Sequence, residues 1–137
     1  MASIKQEIHV KASPKQAWEA MRDIGALHQR LVPGFVVDTK LEPGARIVTF
    51  GNGVVAREAI VDLDDAAMRL VWSASGGRLA HHNASAQVFA EADGGSRIVW
   101  ICDLLPNEMC GAIDGMISQG MAAMQRTLDK LGETEAA

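Results

Sequence analysis

Hydrophobic and polar positions alternate from the start of the chain. Ile4, Ile8 and Val10 share one side of residues 4–10, and Lys5, Glu7 and His9 share the other. That two-residue period predicts a half-buried strand, with His9 on its solvated face. Ser13-Pro14-Lys15-Gln16 then carries the start signals of a helix: a capping serine, a proline at the first position and a glutamine closing a capping box. Its apolar stripe is only Trp18 and Met21, so the helix is short. A second helical turn is expected over Ala26 to Leu31, stopped by Val32-Pro33-Gly34.

Six predicted strands follow, with turn residues between them: Phe35–Leu41, Arg46–Phe50, Val54–Leu63, Met68–Ser75, His81–Ala92 and Arg97–Leu105. Their short connections imply an antiparallel meander, because parallel neighbours need long crossovers. The period then changes. Met109, Ile113, Met116, Ile117, Gly120, Met124, Leu128 and Leu131 recur at helical spacing, predicting a helix over Asn107–Leu131 with Asn107 as its cap. A one-faced apolar sheet needs a cover, and only this last helix is long enough. The pattern predicts an α+β chain: a curved seven-stranded antiparallel sheet, two short helices between its first two strands, and a long C-terminal helix.

At 137 residues the chain is the size of one domain, with a polar tail from Gly132 expected to fray. Its net charge of -4 argues against a nucleic-acid surface, which needs a basic patch. No apolar run approaches the roughly 20 residues that span a bilayer, and the charged N-terminus does not read as a signal peptide. Cys102 and Cys110 match no zinc or redox spacing, so two reduced thiols in a cytoplasmic protein are expected. An exposed edge strand would allow a homodimer.

Three stretches carry a family resemblance: SPKQAWEAMRDIGALHQRLVPG after the first strand, GNGVVAREAIVDLDD through the middle hairpin, and GGSRIVWICDLLP before the long helix. With the order of elements, they make the chain resemble the START-like, or Bet v 1-like (SRPBCC), superfamily, and within it the bacterial polyketide cyclase/dehydrase-type proteins. The resemblance implies a helix-grip fold with a cavity between the sheet and the long helix for a small, mostly hydrophobic ligand. Such a fold does not select one activity.

Strand parity proposes the cavity wall. Neighbouring strand residues face opposite ways, so His81 and His82 cannot form one site. His82 shares its face with Ala84, Ala86 and Val88 and is expected inside; His81 is expected outside. Trp72 and Trp100 are read as inward. Ala84 and Ala86 leave space at mid-strand, and Met116, Gly120 and Met124 of the helix are expected opposite them. His28 is placed near the cavity mouth. A void of about 300 Å³ would cost up to about 7 kcal/mol at about 24 cal/mol per Å³, so a chain that tolerates one is expected to use it.

For chemistry, His82 is the leading acid-base candidate. On the strand Val54–Leu63, either Glu58 or Arg57 must face inward. An inward Arg57 would suit an anionic or carbonyl-bearing ligand, and an inward Glu58 would be a buried base. Parity leaves the choice open, and a bulge would reset it. His82 has no same-face partner for a metal, so neither metal nor cofactor is expected. The reading is a carrier or receptor of a small hydrophobic molecule, with lipid binding included; the alternative is a cyclase, dehydratase or isomerase acting beside a carbonyl through His82 with Glu58 or Arg57.

Overall fold

A computed structural model of the chain describes residues 1–136, with side chains through residue 134. Strand β1 spans Ala2–Val10, helix α1 Pro14–Arg22, β2 Val36–Glu42, β3 Ala45–Phe50, β4 Val55–Asp64, β5 Arg69–Ser75, β6 His81–Ala90, β7 Ser96–Leu105 and helix α2 Cys110–Ala136. The strands form one antiparallel sheet in the order β1-β7-β6-β5-β4-β3-β2. The first strand therefore pairs with the last, and β1 and β2 are the two edges. This is the expected helix-grip architecture.

The local signals act as predicted at α1. The Ser13 hydroxyl accepts from the Gln16 N–H, and the Gln16 side chain accepts from the Ser13 N–H at 2.8 Å, completing the capping box. Trp18 and Met21 are buried, and the Trp18 indole N–H donates to Asp65 at 2.8 Å, tying α1 to the β4–β5 turn. The second helical turn falls where it is expected. It is a 3₁₀ turn over Ile24–Ala26 followed by a π turn over Leu27–Leu31, which buries Leu27 and Leu31. Asn107 does not cap α2. It begins a separate 3₁₀ turn, Asn107–Met109, with no side-chain cap, and α2 starts at Cys110. The tail expected to fray from Gly132 continues α2 to Ala136, and Ala137 lies outside the described residues.

Helix α2 is held along β1. The Gln6 side-chain amide donates to Asp114 Oδ1 at 2.8 Å and Ser118 Oγ at 2.9 Å. Asp129 accepts from the Lys11 N–H at 2.8 Å, and the Gln125 amide donates to the His9 carbonyl at 3.2 Å. Ile117, Met121, Met124 and Leu128 are buried against the sheet, each such side chain contributing about 1.5–3 kcal/mol. Gly132 permits the closest approach: a Cβ there would sit 2.4 Å from the Lys11 carbonyl carbon and 2.5 Å from the Ala12 nitrogen.

Helix propensity alone predicts that Gly132→Ala stabilises α2 by about 1 kcal/mol. The backbone contact reverses the sign. Chemical denaturation of this variant is expected to show a loss of about 1–3 kcal/mol, and a gain would mean that α2 does not seat against Lys11 and Ala12.

Candidate functional site

Because α2 follows the β1 edge, the inner face of β3–β6 is left partly uncovered. The result is a cavity of about 350 Å³ between that face, the first half of α2, and the segment from α1 through the π turn. Most of its wall is apolar. Leu70, Trp72, Ala86 and Trp100 form part of the sheet side, and Met109, Ile113, Met116, Ile117 and Met124 form the α2 side. The loops Gly76–Leu79 and Phe50–Val55 border it.

The open choice on β4 is settled by register. Glu58 faces in and is buried; Arg57 faces out and bonds Glu42 at 3.3 Å. The candidate role of Arg57 is therefore withdrawn. A bulge does occur, between Ile60 and Asp62, but it lies beyond Glu58 and leaves its parity intact. The inward Glu58, a candidate base, does not stand free. Arg46 stands directly opposite it on β3 and donates from Nε to Glu58 Oε1 at 2.8 Å. Their side chains are 3% and 9% exposed, so this pair is closed off from bulk water. Arg46 also donates from Nη1 to the Ile24 carbonyl at 3.3 Å, and its guanidinium carbon is 5.9 Å from the centre of the Trp72 ring. Sequence reasoning missed Arg46. Its signal was available: Val48 and Phe50 alternate with it, and the Gly51–Gly53 turn sets it against an acidic residue.

His82 is inward and lines the cavity, while His81 is exposed, as strand parity predicts. Backbone pairing between β5 and β6 ends at Trp72 and Ala84. Beyond that point the Ala74 N–H donates to His82 Nδ1 at 2.9 Å, so the imidazole takes the place of a ladder carbonyl. An Nδ1 that accepts a hydrogen bond carries no proton, which leaves the proton of the neutral ring on Nε2. No described residue partners Nε2. Burial, with the neighbouring His81 adding to it, holds the His82 pKa below its ordinary value of 6.5.

Trp72, Ala86, Trp100, Met116 and Met124 line the cavity as expected. The other expected lining positions do not. Ala84 is inward but 1% exposed, enclosed between its cross-strand neighbours Trp72 and Cys102. Gly120 makes room for the protein itself: a Cβ there would lie 3.0 Å from the Phe35 ring and 3.1 Å from the Trp100 ring. His28 pairs with Thr39 at 3.1 Å, away from the cavity wall. Cys102 is fully buried, and burial pushes its thiol up to about 11, which removes it as a nucleophile at neutral pH. Trp72 and Trp100 pack edge to face with ring centres 5.6 Å apart.

The profile of a family described as "Polyketide cyclase / dehydrase and lipid transport" matches residues 1–134. The chain belongs to this family. No curated protein matches it significantly in sequence. Among solved structures it is similar to the XoxI protein of Bacillus cereus, with a TM-score of 0.85 and 19% identity over 96% of this chain and 98% of that one. It is also similar to the di-domain ARO/CYC protein BexL of the BE-7585A biosynthetic pathway, with a TM-score of 0.81 and 14% identity over 94% of this chain and 47% of that one. A third likeness is to Thalictrum flavum norcoclaurine synthase in complex with dopamine and hydroxybenzaldehyde, with a TM-score of 0.72 and 19% identity over 95% of this chain and 85% of that one. At these identities the three structures establish a shared fold. No helix among the described residues is long and apolar enough to cross a membrane.

The lowered pKa of His82 makes a signed prediction. Well above pH 6.5 the ring is neutral in both folded and unfolded chains. As pH falls below that value the unfolded chain takes up the proton first. Stability is then lost until pH reaches the depressed folded value. His82→Asn puts an amide oxygen near the Nδ1 position and can keep the Ala74 bond without titrating. Unfolding curves across this range are expected to lose part of their pH dependence in the variant, and amide exchange at Ala74 to stay slow at low pH. Unchanged pH dependence would refute the lowered pKa of His82, and fast exchange at Ala74 in the variant would refute the assigned bond.

Proposed function

We propose that this protein binds a small, mostly hydrophobic molecule in the cavity between the sheet and α2. One observation carries the reading: the wall of a cavity of about 350 Å³ is apolar except for a few polar groups, among which Arg46, Glu58, Arg78 and His82 are the ionisable ones. Apolar pockets of about 300–1,000 Å³ with few polar groups are the usual form of small-molecule sites. An empty apolar space of that size would cost up to about 8 kcal/mol at about 24 cal/mol per Å³, comparable to a typical domain's stability of about 5–15 kcal/mol. Flexible methionines on the α2 side suit a ligand of irregular outline. The family description, which names lipid transport, agrees with a carrier. Two free cysteines, Cys102 and Cys110, fit a reducing cytoplasm.

The test is native mass spectrometry of the protein as purified from cells, followed by a thermal-shift panel of lipophiles. An adduct of a few hundred daltons released on denaturation, or stabilisation by panel members, is the expected result. Met116→Trp should occupy part of the space and weaken that stabilisation. No adduct and no stabilising compound would refute the reading.

A second reading has its own observation: the His82 ring on the wall, with Nε2 unpartnered among the described residues. In this reading the protein is a cyclase, dehydratase or isomerase in which His82 moves a proton beside a substrate carbonyl. The family description and the ARO/CYC and norcoclaurine synthase likenesses support it. His82→Ala separates the two readings. It should lower turnover of a bound compound by about 10² or more if His82 is the acid-base group, and shift affinity only modestly in a carrier.

A further inference from the structure

Three ionisable groups of the cavity wall, Arg46, Glu58 and His82, fall in one row across four strands. Arg46 is opposite Glu58 in the β3–β4 register, and Glu58 is opposite Ala74 in the β4–β5 register. Ala74 in turn donates its N–H to the His82 ring on β6. Neighbouring strands lie about 4.8 Å apart, so Glu58 and His82 flank Ala74 with their backbones about 10 Å from each other. Ala74 itself lines the cavity, and its methyl group leaves the floor between them low.

The row has hydrogen-bonding capacity to spare. Arg46 uses Nε on Glu58 and Nη1 on Ile24. Its Nη2 and Glu58 Oε2 have no partner among the described residues. Among the described residues, the sealed side-chain polar atom without a partner is Trp100 Nε1. Nη2 and Oε2 therefore keep access to open space, and both residues line the cavity. The charges of Arg46 and Glu58 cancel. Arg78, also on the lining, is exposed on its loop, where water and salt screen it.

We propose that the row Arg46–Glu58–Ala74–His82 recognises a neutral head group that presents both a hydrogen-bond donor and an acceptor, such as a primary amide or a hydroxyl beside a carbonyl, on an apolar body. The same row discriminates against the free carboxylate of equal shape. This rests on the ligand-binding reading above. A carboxylate has no donor for Glu58 Oε2 and brings an unpaired charge against a site whose own charges already cancel. A plain hydrocarbon leaves Nη2, Oε2 and His82 Nε2 desolvated without partners. A neutral donor-acceptor head over Ala74 satisfies them.

The experiment is displacement of the neutral dye N-phenyl-1-naphthylamine from the full-length protein by decanamide and by its near-isostere decanoate, at about pH 8, where His82 is neutral. Decanamide is expected to displace the dye at about tenfold lower concentration than decanoate. Equal or stronger displacement by decanoate overturns the proposal while leaving ligand binding intact. If the dye does not bind and neither compound stabilises the protein, the ligand-binding reading fails, and the proposal with it. In a variant with both Arg46→Met and Glu58→Met the tenfold preference for the amide should disappear; its persistence would overturn the role of the row. Glu58→Gln leaves Arg46 uncompensated and should turn the preference toward decanoate.

Discussion

The attachment of α2 to β1 decides the rest of this structure. Gln6, Lys11 and the His9 carbonyl bind the helix along one edge of the sheet, and Gly132 lets the two backbones touch near its end. A helix centred on the sheet would bury the inner face of β3–β6 and leave no cavity. Held to the side, it covers β1 directly and bridges the remaining concavity with flexible methionines. The α1 segment and the π turn close part of the gap, and Trp18 fastens them through Asp65. Open volume is thus a consequence of where the long helix is bonded.

Inside that volume, polar groups are either paired with protein or left facing the space. Arg46 and Glu58 neutralise each other, and a buried pair of this kind contributes little net stability while making loss of either partner expensive. His82 accepts from Ala74 where the β5–β6 ladder ends, so a side chain repairs a backbone break beside the cavity. These arrangements spend one part of each group's capacity on the fold and leave another part unspent. That unspent capacity distinguishes the site from an ordinary filled core.

Several features of the site were legible in the chain. His82 inside and His81 outside followed from strand parity, as did Trp72, Trp100 and Ala86 on the wall. Parity reports direction and says nothing about what lies opposite. Ala84 points inward yet is enclosed, and Gly120 faces the sheet yet is covered by Phe35 and Trp100. Both were expected to leave room for a ligand; Gly120 leaves room for aromatic rings of the protein, and Ala84 is buried. On β4, parity narrowed the choice to Arg57 or Glu58, and the neighbouring strand decided it. His28 sits in a π turn, which the pattern did not distinguish from an ordinary helical turn, and pairs with Thr39.

By itself the sequence determined the elements and their order: alternation made the strands, short connections made them antiparallel, and helical spacing made α2. These are properties of neighbours along the chain, set by local geometry and the burial of one face. Only the tertiary structure decided that Arg46 meets Glu58, that Ala74 meets His82, and that a cavity lies over them. Those contacts join residues on different strands, and cross-strand register depends on where each turn and bulge falls and on how α2 is bonded to β1. A shift of one residue would exchange the two faces of a strand, so the site exists only once the sheet has formed and the helix has been seated.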